Sequence, residues 1–231
     1  MFGPAVLRGA SGARVLGQGF TAPASPRHFA KIARDPMTPK IACIDVETIA
    51  CIDVETTGLH PSTDRIVELA IVNLDEHGDL ETSWSTRINP ERDPGPTFAH
   101  GLTADMLADA PLFAAVASEL TRHIEGRVLA AHNVNFDYNF IRYEFGRAGL
   151  ETPTTPTLCT IRAAWAVGRR QRGGSRKLAD LCLNEGIQYG DEHTALGDAL
   201  ATADLVRTYV ALAQQQGLTL ADLVDGPAAE R

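Results

Sequence analysis

The sequence predicts an α/β protein with a mixed sheet covered by helices. The apolar run Ile49–Ile52 is typical of a strand buried on both faces. Two further strand-like runs, Arg65–Asp75 and Leu80–Asn89, are joined by EHGD, whose glycine suits a hairpin turn. A short apolar strand, Arg127–His132, then alternates with helical segments. Strands that first form a meander and then alternate with helices indicate a mixed sheet.

Apolar residues at helical spacing predict the covering layer. The last predicted helix is the longest, and Thr194 provides an N-cap at its start. The predicted helices are Leu112–Ile124, Phe136–Ala148, Lys177–Glu185 and Thr194–Gln216.

The composition is that of a soluble globular protein. With 231 residues, the chain most simply forms one domain. No stretch approaches the roughly 20 apolar residues that span a bilayer, so no membrane role is expected. Cys43 and Cys51 occupy one position of a repeated block, and Cys159 and Cys182 have no C-x-x-C partner. Neither a disulfide framework nor a zinc site is therefore predicted, and a reducing cytoplasm fits best.

Residues 1–40 are rich in Gly, Ala, Pro and Arg and are predicted to be a disordered extension. Their basic character resembles an organellar transit peptide. The alternative is that translation begins at Met37. Pro4, Pro23 and Pro26 favour the second view, because they would interrupt the amphipathic helix that a transit peptide needs.

The charge of the chain is unevenly distributed. Residues 1–40 have six basic residues and one acid, a net charge of +5, so the rest of the −8 chain carries −13. This acidic body argues against a protein that coats nucleic acid by phosphate neutralisation alone. It is compatible with an enzyme that holds a few nucleotides through bound metal, because the ions supply positive charge.

An eight-residue block, IACIDVET, occurs twice in succession, as Ile41–Thr48 and Ile49–Thr56. Each copy ends in two carboxylates, which are Asp53 and Glu55 in the second copy. Residues two apart in a strand point to the same side, so each pair would share one face. Unpaired carboxylates there would repel each other and tend to take up protons, and a divalent cation removes the difficulty. The alternative is a strand-end acid that caps a neighbouring helix.

Two more acidic residues lie near the starts of predicted helices. Asp137 lies in the first turn of a helix, where the helix dipole favours a negative charge whether or not it has a function. Asp198 shares a helix face with residues that pack inward, so its carboxylate needs a partner. His193 stands at the start of the same helix, near where a substrate could approach, although a lone histidine there is more often a surface residue.

Together these segments resemble the DEDDh exonucleases, the family that includes the epsilon proofreading subunit of bacterial DNA polymerase III. The resemblance covers roughly Ile49 to Ala213. Its three motifs are DVETTGL (Asp53–Leu59), HNVNFD (His132–Asp137) and HTALGD (His193–Asp198). Between the first two, FAHGLTADML (Phe98–Leu107) resembles the family's segment after the third strand.

The resemblance implies a ribonuclease H-like, mixed five-stranded sheet and an exonuclease domain over 49–216, followed by a short tail, 217–231. It also implies two divalent metal ions, Mg²⁺ or Mn²⁺. Asp53, Glu55 and Asp198 would hold one ion, Asp53 would bridge to the second, and Asp137 would support the second. Hard cations prefer such oxygen ligands. His193 would be the general base that takes a proton from the attacking water.

By the same resemblance, the 3′-terminal nucleotide would be held by His100 and by the loop after the first motif. Gly58 allows close backbone approach, and Leu59 offers an apolar surface for a terminal base. The loop residues are Thr56, Thr57, Gly58 and Leu59. His132, Asn133 and Phe136 are expected to position the second motif.

The expected activity is 3′→5′ removal of nucleoside monophosphates from single-stranded DNA ends, in proofreading. The alternatives are an exoribonuclease that trims short RNA and a catalytically silent nucleic-acid-binding or polymerase-scaffold module. A polymerase subunit is one candidate partner. A sliding clamp is another, because Gln215–Leu220 (QQGLTL) faintly resembles clamp-binding peptides, although it could equally be the end of a helix.

Arg169–Lys177 (RRQRGGSRK) concentrates five basic residues in one loop. It could contact phosphates upstream of the cleaved end, but a solvated loop is the commoner explanation.

Only the second copy of IACIDVET continues directly into TTGLHP, the loop that in the family receives the 3′ end. We therefore expect Asp53 and Glu55, rather than Asp45 and Glu47, to form the site. The first copy is predicted to be a redundant extension that arose from a short duplication or from an error in the recorded sequence.

Overall fold

A mixed sheet of five strands in the order β3-β2-β1-β4-β5 organises the computed structural model, which describes residues 48–169, 174–190 and 193–225. β1 pairs antiparallel with β2 and parallel with β4, β2 pairs antiparallel with β3, and β4 pairs parallel with β5. The predicted mixed α/β sheet is thus confirmed. The strands are β1 (Ile49–Thr56), β2 (Ile66–Leu74), β3 (Leu80–Arg87), β4 (Val128–Ala131) and β5 (Thr157–Cys159).

Helices cover both faces of this sheet. The longest is α7, with 21 residues. The helices are α1 (Thr97–His100), α2 (Ala104–Leu107), α3 (Phe113–Ile124), α4 (Val134–Arg147), α5 (Thr160–Ala166), α6 (Leu178–Glu185) and α7 (Ala195–Gln215), and a 3₁₀ turn spans Leu220–Asp222.

The central strand β1 distributes its side chains between two cores. Ile49 and Cys51 belong to the core that includes residues of α5, α6 and α7. Ala50 and Ile52 belong to the core that includes residues of α3 and α4. Because side chains alternate along a strand, the residues that continue the Ile49 and Cys51 series face the layer that contains α7. Those residues are Asp53 and Glu55.

The hairpin between β2 and β3 forms where the sequence predicts it. Gly78 has φ 74° and donates its backbone N–H to the Asp75 carbonyl over 2.8 Å. β3 is largely exposed along its length, as befits an edge strand. The meander prediction is therefore confirmed, with the strand ends shifted by one or two residues.

The start of α7 also agrees with its sequence signal. Thr194 is the N-cap, and its hydroxyl accepts the Gly197 backbone N–H at 3.1 Å. This bond satisfies one of the free amides of the first turn.

Several short elements were not predicted, namely β5, α1, α2 and α5. β5 has three residues, too few to show a periodic pattern, and it pairs with β4 and, through Thr157, with Asp225. The Asp225 pairing, together with buried Leu220 and Leu223, packs residues 217–225 of the predicted tail against the domain.

The second copy of the duplicated block forms β1. The predicted extension 1–40 and all but Thr48 of the first copy lie outside the described residues. No helix within the described ranges is both long and apolar enough to cross a membrane.

Candidate active site

The end of β1 carries the first two acidic side chains of the site. Pairing with β4 stops at Cys51, so β1 extends beyond its parallel neighbour. Asp53 and Glu55 lie on this free extension and face the α7 layer. On the other side of β1, Glu55 is paired with Glu68 of β2. A row of carboxylates is thus built into the centre of the sheet.

The third acid comes from the first turn of α7. One oxygen each of Asp53, Glu55 and Asp198 lie within 4.8 Å of one another. The Tyr189 hydroxyl donates to Asp198 Oδ1 over 2.6 Å. A tyrosine outside the helix thus contacts the carboxylate that the sequence showed to need a partner.

The fourth acid, Asp137, approaches from α4. Its Oδ1 accepts the Val54 backbone N–H at 3.2 Å, and its side chain is only 3% exposed. That N–H has no partner on β4, because the pairing of β1 with β4 ends at Cys51, before Val54. The turn into α4 requires Asn133 at φ 65°, in the left-handed region that asparagine tolerates better than most residues. A free strand amide therefore fixes the position of Asp137.

The electrostatics of these acids are unfavourable for four ionised groups. Burial raises the pKa of Asp53 well above its ordinary value, and the charges of Asp137, Asp198, Glu55 and Glu68 raise it further. Burial, followed by Asp198 and Glu68, raises the pKa of Glu55 to about 7. Burial likewise raises the pKa of Asp137, although its backbone hydrogen bonds oppose the rise. In all three groups burial is the largest cause of the raised pKa, and the neighbouring carboxylates add to it.

The donor set fits a divalent cation. The clustered atoms of Asp53, Glu55 and Asp198 are all carboxylate oxygens, the ligand type that hard cations such as Mg²⁺ and Mn²⁺ prefer. A bound cation would also reverse the repulsion that raises the pKa values of these groups. The site therefore has the composition and the charge of a metal-binding site.

A sequence model of the exonuclease family matches residues 50–206, more than half of the chain. The chain belongs to this family. All four carboxylates of the site lie within the matched range.

Two bacterial DNA polymerase III subunits are similar in sequence to this chain. DNA polymerase III subunit epsilon of Salmonella typhimurium is 31% identical over 158 residues, covering 67% of this chain and 65% of that protein. The corresponding subunit of Treponema pallidum is 35% identical over 161 residues, covering 67% of this chain and 73% of that protein. This chain thus spans about two thirds of the length of these relatives.

Solved exonucleases share the fold. Exonuclease X in complex with 5′ overhanging duplex DNA superposes with a TM-score of 0.56 at 25% identity, covering 76% of this chain and 96% of that chain. The predicted ribonuclease H-like fold of the family is therefore confirmed.

The histidine of the third motif, His193, lies just outside α7. It is exposed and has φ 64°, a backbone conformation that is unfavourable for residues with a side chain. Two residues later, the Ala195 backbone N–H donates to Glu68 Oε2 at 3.1 Å. Glu68 thus attaches the start of α7, and with it the His193 segment, to β2.

The loop after the first motif has a tightly bonded base and an exposed tip. Thr56 Oγ1 donates to the Gly58 carbonyl at 2.6 Å, and the Thr57 hydroxyl accepts the Arg65 backbone N–H at 3.0 Å. A side chain at Gly58 would overlap the Asp64 carboxylate, so the close approach that requires glycine here is internal to the loop. Leu59 is 76% exposed and available to a ligand.

His100, the other predicted 3′-end residue, is buried and bonded to its own loop. Its Nδ1 accepts the Leu102 backbone N–H at 3.1 Å, so Nε2 carries the hydrogen and faces the Pro94 carbonyl at 3.3 Å. The ring therefore holds the loop after β3 in shape.

The residues of the second motif line a cleft of about 430 Å³ beside the acids. His132, Asn133 and Phe136 form one part of its wall. Arg176 and Lys177, from the far end of the predicted basic loop, form another part. Arg169, at the near end, pairs with Glu185 at 3.4 Å, and residues 170–173 lie outside the described structure.

The segment considered for clamp binding is folded into the domain. Gln215 ends α7, Gln216 donates its side-chain N–H to the Val167 carbonyl at 3.1 Å, and Leu220 is buried. The alternative interpretation, that the segment is the end of a helix, holds for Gln215 and Gln216, which are the last residue and the C-cap of α7. In this conformation Leu220 of the segment is not accessible to a partner.

Sequence reasoning missed two residues of the site, Glu68 and Tyr189. Glu68 carried a usable signal, because it is a charged residue inside the otherwise apolar run IVELAIV. Tyr189 carried none, because it lies in a loop whose path to Asp198 is set by tertiary packing.

Proposed function

We propose that the chain is a metal-dependent 3′→5′ exonuclease that releases nucleoside monophosphates from single-stranded DNA ends. The observation that carries this proposal is the convergence of Asp53, Glu55 and Asp198 oxygens within 4.8 Å. Asp137, attached to the Val54 amide, completes the acidic centre. The family match and the relatives named as polymerase subunits support the reaction class.

Two divalent cations, Mg²⁺ or Mn²⁺, are proposed for this centre. Asp53, Glu55 and Asp198 would hold the first, and Asp53 and Asp137 the second. When bound, two such ions would stabilise the entering and the leaving oxygen of an in-line displacement at phosphorus. The raised pKa values of Asp53 and Glu55 support this proposal, because they express the same demand for positive charge.

His193 is proposed to take the proton of the attacking water on an imidazole nitrogen. Its exposure leaves the ring accessible to water and substrate, and the bond from Ala195 to Glu68 fixes the adjacent helix start. A positioned base of this kind contributes roughly 10²–10⁴ in rate.

Leu59 is proposed to support the terminal base, since its side chain is exposed at the loop tip. Thr56, Thr57, Gly58 and His100 would form the rest of the 3′-nucleotide pocket. Their internal hydrogen bonds support a loop that is shaped before substrate arrives.

The experiment is the degradation of matched 5′-labelled single-stranded DNA and RNA oligonucleotides, with Mg²⁺, with Mn²⁺ and with EDTA. We expect the DNA to shorten stepwise from its 3′ end with release of monophosphates, and no reaction in EDTA. Faster loss of the RNA would establish the exoribonuclease alternative. Binding of either strand without hydrolysis under any metal condition would establish the silent scaffold and overturn the proposal.

Proofreading is supported by the names of the relatives and predicts preferential removal of a mismatched primer terminus. A matched primer provides the control, and equal rates on the two would exclude this role. A polymerase partner, proposed on the same support, would co-elute with the chain in size-exclusion chromatography.

A further inference from the structure

An exposed tryptophan stands beside the cleft with a guanidinium over its ring. Trp165 lies in the last turn of α5 and is 55% exposed. The Arg176 Cζ atom is 5.2 Å from the centroid of its ring. Such a pair presents a flat aromatic surface and a fixed positive charge together.

This pair continues the wall of the cleft. Ile161 lines the cleft and precedes Trp165 by one turn of α5, so the two side chains lie on neighbouring parts of one helix face. Arg176 and Lys177 line the same cleft, as do Asp53 and Asp137. A continuous surface therefore runs from the acidic centre to Trp165.

His132 holds this surface in place relative to the acids. Its Nε2 lies 2.6 Å from the Arg176 carbonyl, and its Nδ1 lies 2.9 Å from the Thr160 hydroxyl at the start of α5. A carbonyl can only accept, so Nε2 carries the hydrogen, and the neutral ring accepts the Thr160 hydroxyl at Nδ1. The histidine that follows β4 thus connects both halves of the pair to the strand that precedes Asp137.

The chemistry of this surface matches one kind of ligand. Two cations beside an acidic centre, in a chain of net charge −8, attract a polyanion to one place. An aromatic ring with a guanidinium over it favours flat, stackable groups. Single-stranded nucleic acid combines repeated phosphates with unstacked bases.

We propose that Trp165, Arg176 and Lys177 form a platform for the nucleotides on the 5′ side of the cleaved phosphate. A base stacks on the Trp165–Arg176 pair, and the cations contact the phosphates between that base and the acidic centre. This inference rests on the proposed exonuclease function and names how the strand upstream of the cut is held.

Two substrates separate the platform from the acidic centre. The p-nitrophenyl ester of thymidine 5′-monophosphate has no upstream nucleotide, whereas single-stranded oligodeoxythymidylate about ten nucleotides long has enough of them to reach the platform. For Trp165→Leu and for Arg176→Ala we expect KM on the oligonucleotide to rise about tenfold, the loss of one stacked base. Their kcat/KM on the ester should stay within about twofold of the wild-type value, and Trp165→Phe should restore most oligonucleotide binding.

The salt dependence of KM distinguishes the contribution of the cationic side chains from that of the Trp165 ring. Lys177→Ala should reduce the slope of log KM against log salt concentration by about 0.7, the loss of one phosphate contact on a single strand. Trp165→Leu should leave that slope unchanged. An unchanged slope in Lys177→Ala would remove Lys177 from the platform.

The chain offers a matched control in Tyr143, an exposed ring with Arg142 Cζ at 5.4 Å from its centroid on α4. Neither residue lines the cleft, so Tyr143→Leu should leave both substrates unaffected. An effect of Trp165→Leu no larger than that of Tyr143→Leu, or an equal loss on both substrates, would overturn the platform.

A direct measurement of oligonucleotide binding tests the platform independently of catalysis. Fluorescence anisotropy of the labelled oligonucleotide in EDTA should show Kd about tenfold weaker for Trp165→Leu than for the wild-type chain. An unchanged Kd would overturn the platform even if the wild-type chain hydrolysed nothing. Failure of the wild-type chain on both substrates would instead overturn the proposed exonuclease function.

Discussion

Two regions of this molecule hold partly or fully buried carboxylates, and they do so in opposite ways. Glu144 of α4 is 1% exposed, yet Arg65 donates to both of its oxygens, at 2.7 Å and 3.1 Å. Arg147 and the Ile66 backbone N–H add further contacts at 3.3 Å. Asp53, by contrast, has four other carboxylates around it, and each of them raises its pKa.

The difference identifies the functional region by its charge. A buried acid with an arginine fork and a backbone donor is compensated within the protein and contributes to the fold. A partly buried acid among other acids is compensated only when a bound proton or a cation supplies the positive charge. The Glu144 region therefore predicts stability effects, and the Asp53 region predicts activity effects.

The largest contrast is expected from removal of the central carboxylates. Asp53→Ala, Asp137→Ala and Asp198→Ala should each abolish hydrolysis of single-stranded DNA, because each removes a proposed ligand or supporting charge. Circular dichroism should show an intact fold. In EDTA near neutral pH, Asp53→Asn should raise the melting temperature, since a neutral amide avoids the cost of keeping a carboxyl group, charged or protonated, among other acids. Near-normal turnover of any alanine variant at saturating metal would contradict the role of that residue.

His193→Ala should lower kcat by roughly 10²–10⁴. Metal affinity, measured by isothermal titration calorimetry, should change little, because His193 is not among the clustered oxygen donors. A loss of metal affinity equal to that of Asp198→Ala would show that the histidine acts as a ligand instead.

Arg65→Met should destabilise the fold and spare the chemistry. It leaves Glu144 buried with a weaker set of partners, at a cost of about 3 kcal/mol, the lower end for a broken buried pair because Arg147 remains. Denaturant unfolding measures the loss, and activity per folded molecule should be retained. A variant as stable as the wild-type chain would show that Glu144 is not compensated by Arg65.

The metal-free protein should lose stability as pH rises from about 4.5 to about 7. Because the pKa of Glu55 is raised to about 7, the folded state retains a proton that the unfolded state has released. Rising pH therefore favours unfolding over this interval. Melting temperatures measured in EDTA should show the decline, and saturating Mg²⁺ should diminish it. Glu55→Gln should flatten the profile, and a profile with the same slope would exclude Glu55 as its source.

The smallest effect is expected in the first copy of the duplicated block. Asp45→Ala and deletion of Ile41–Thr48 should leave activity near that of the wild-type chain, whereas Asp53→Ala should be inactive. The two copies have the same side-chain pattern and could compete for one place in the sheet. Partial activity in both alanine variants would indicate such exchange, and an inactive Asp45→Ala beside an active Asp53→Ala would reverse the assignment.

Much of the fold could be predicted from local patterns. The β2–β3 hairpin, the apolar β1 and the long α7 with its Thr194 cap all follow from residues that are close in sequence. β5 could not be predicted this way, because three residues carry no period and its pairing with β4 is non-local. The four acids of the site could be selected by motif, whereas Tyr189 could not.

The sequence by itself determined which carboxylates are present. It also determined that Asp53 and Glu55 share one face of β1, because side chains in a strand alternate between its two faces. Only the tertiary structure decided that β4 stops early, so that the Val54 amide is free to bind Asp137. It also decided that Glu68 and Tyr189 hold α7 and Asp198 in place. These contacts join residues far apart along the chain, and strand lengths and loop paths fix them once the whole sheet is packed.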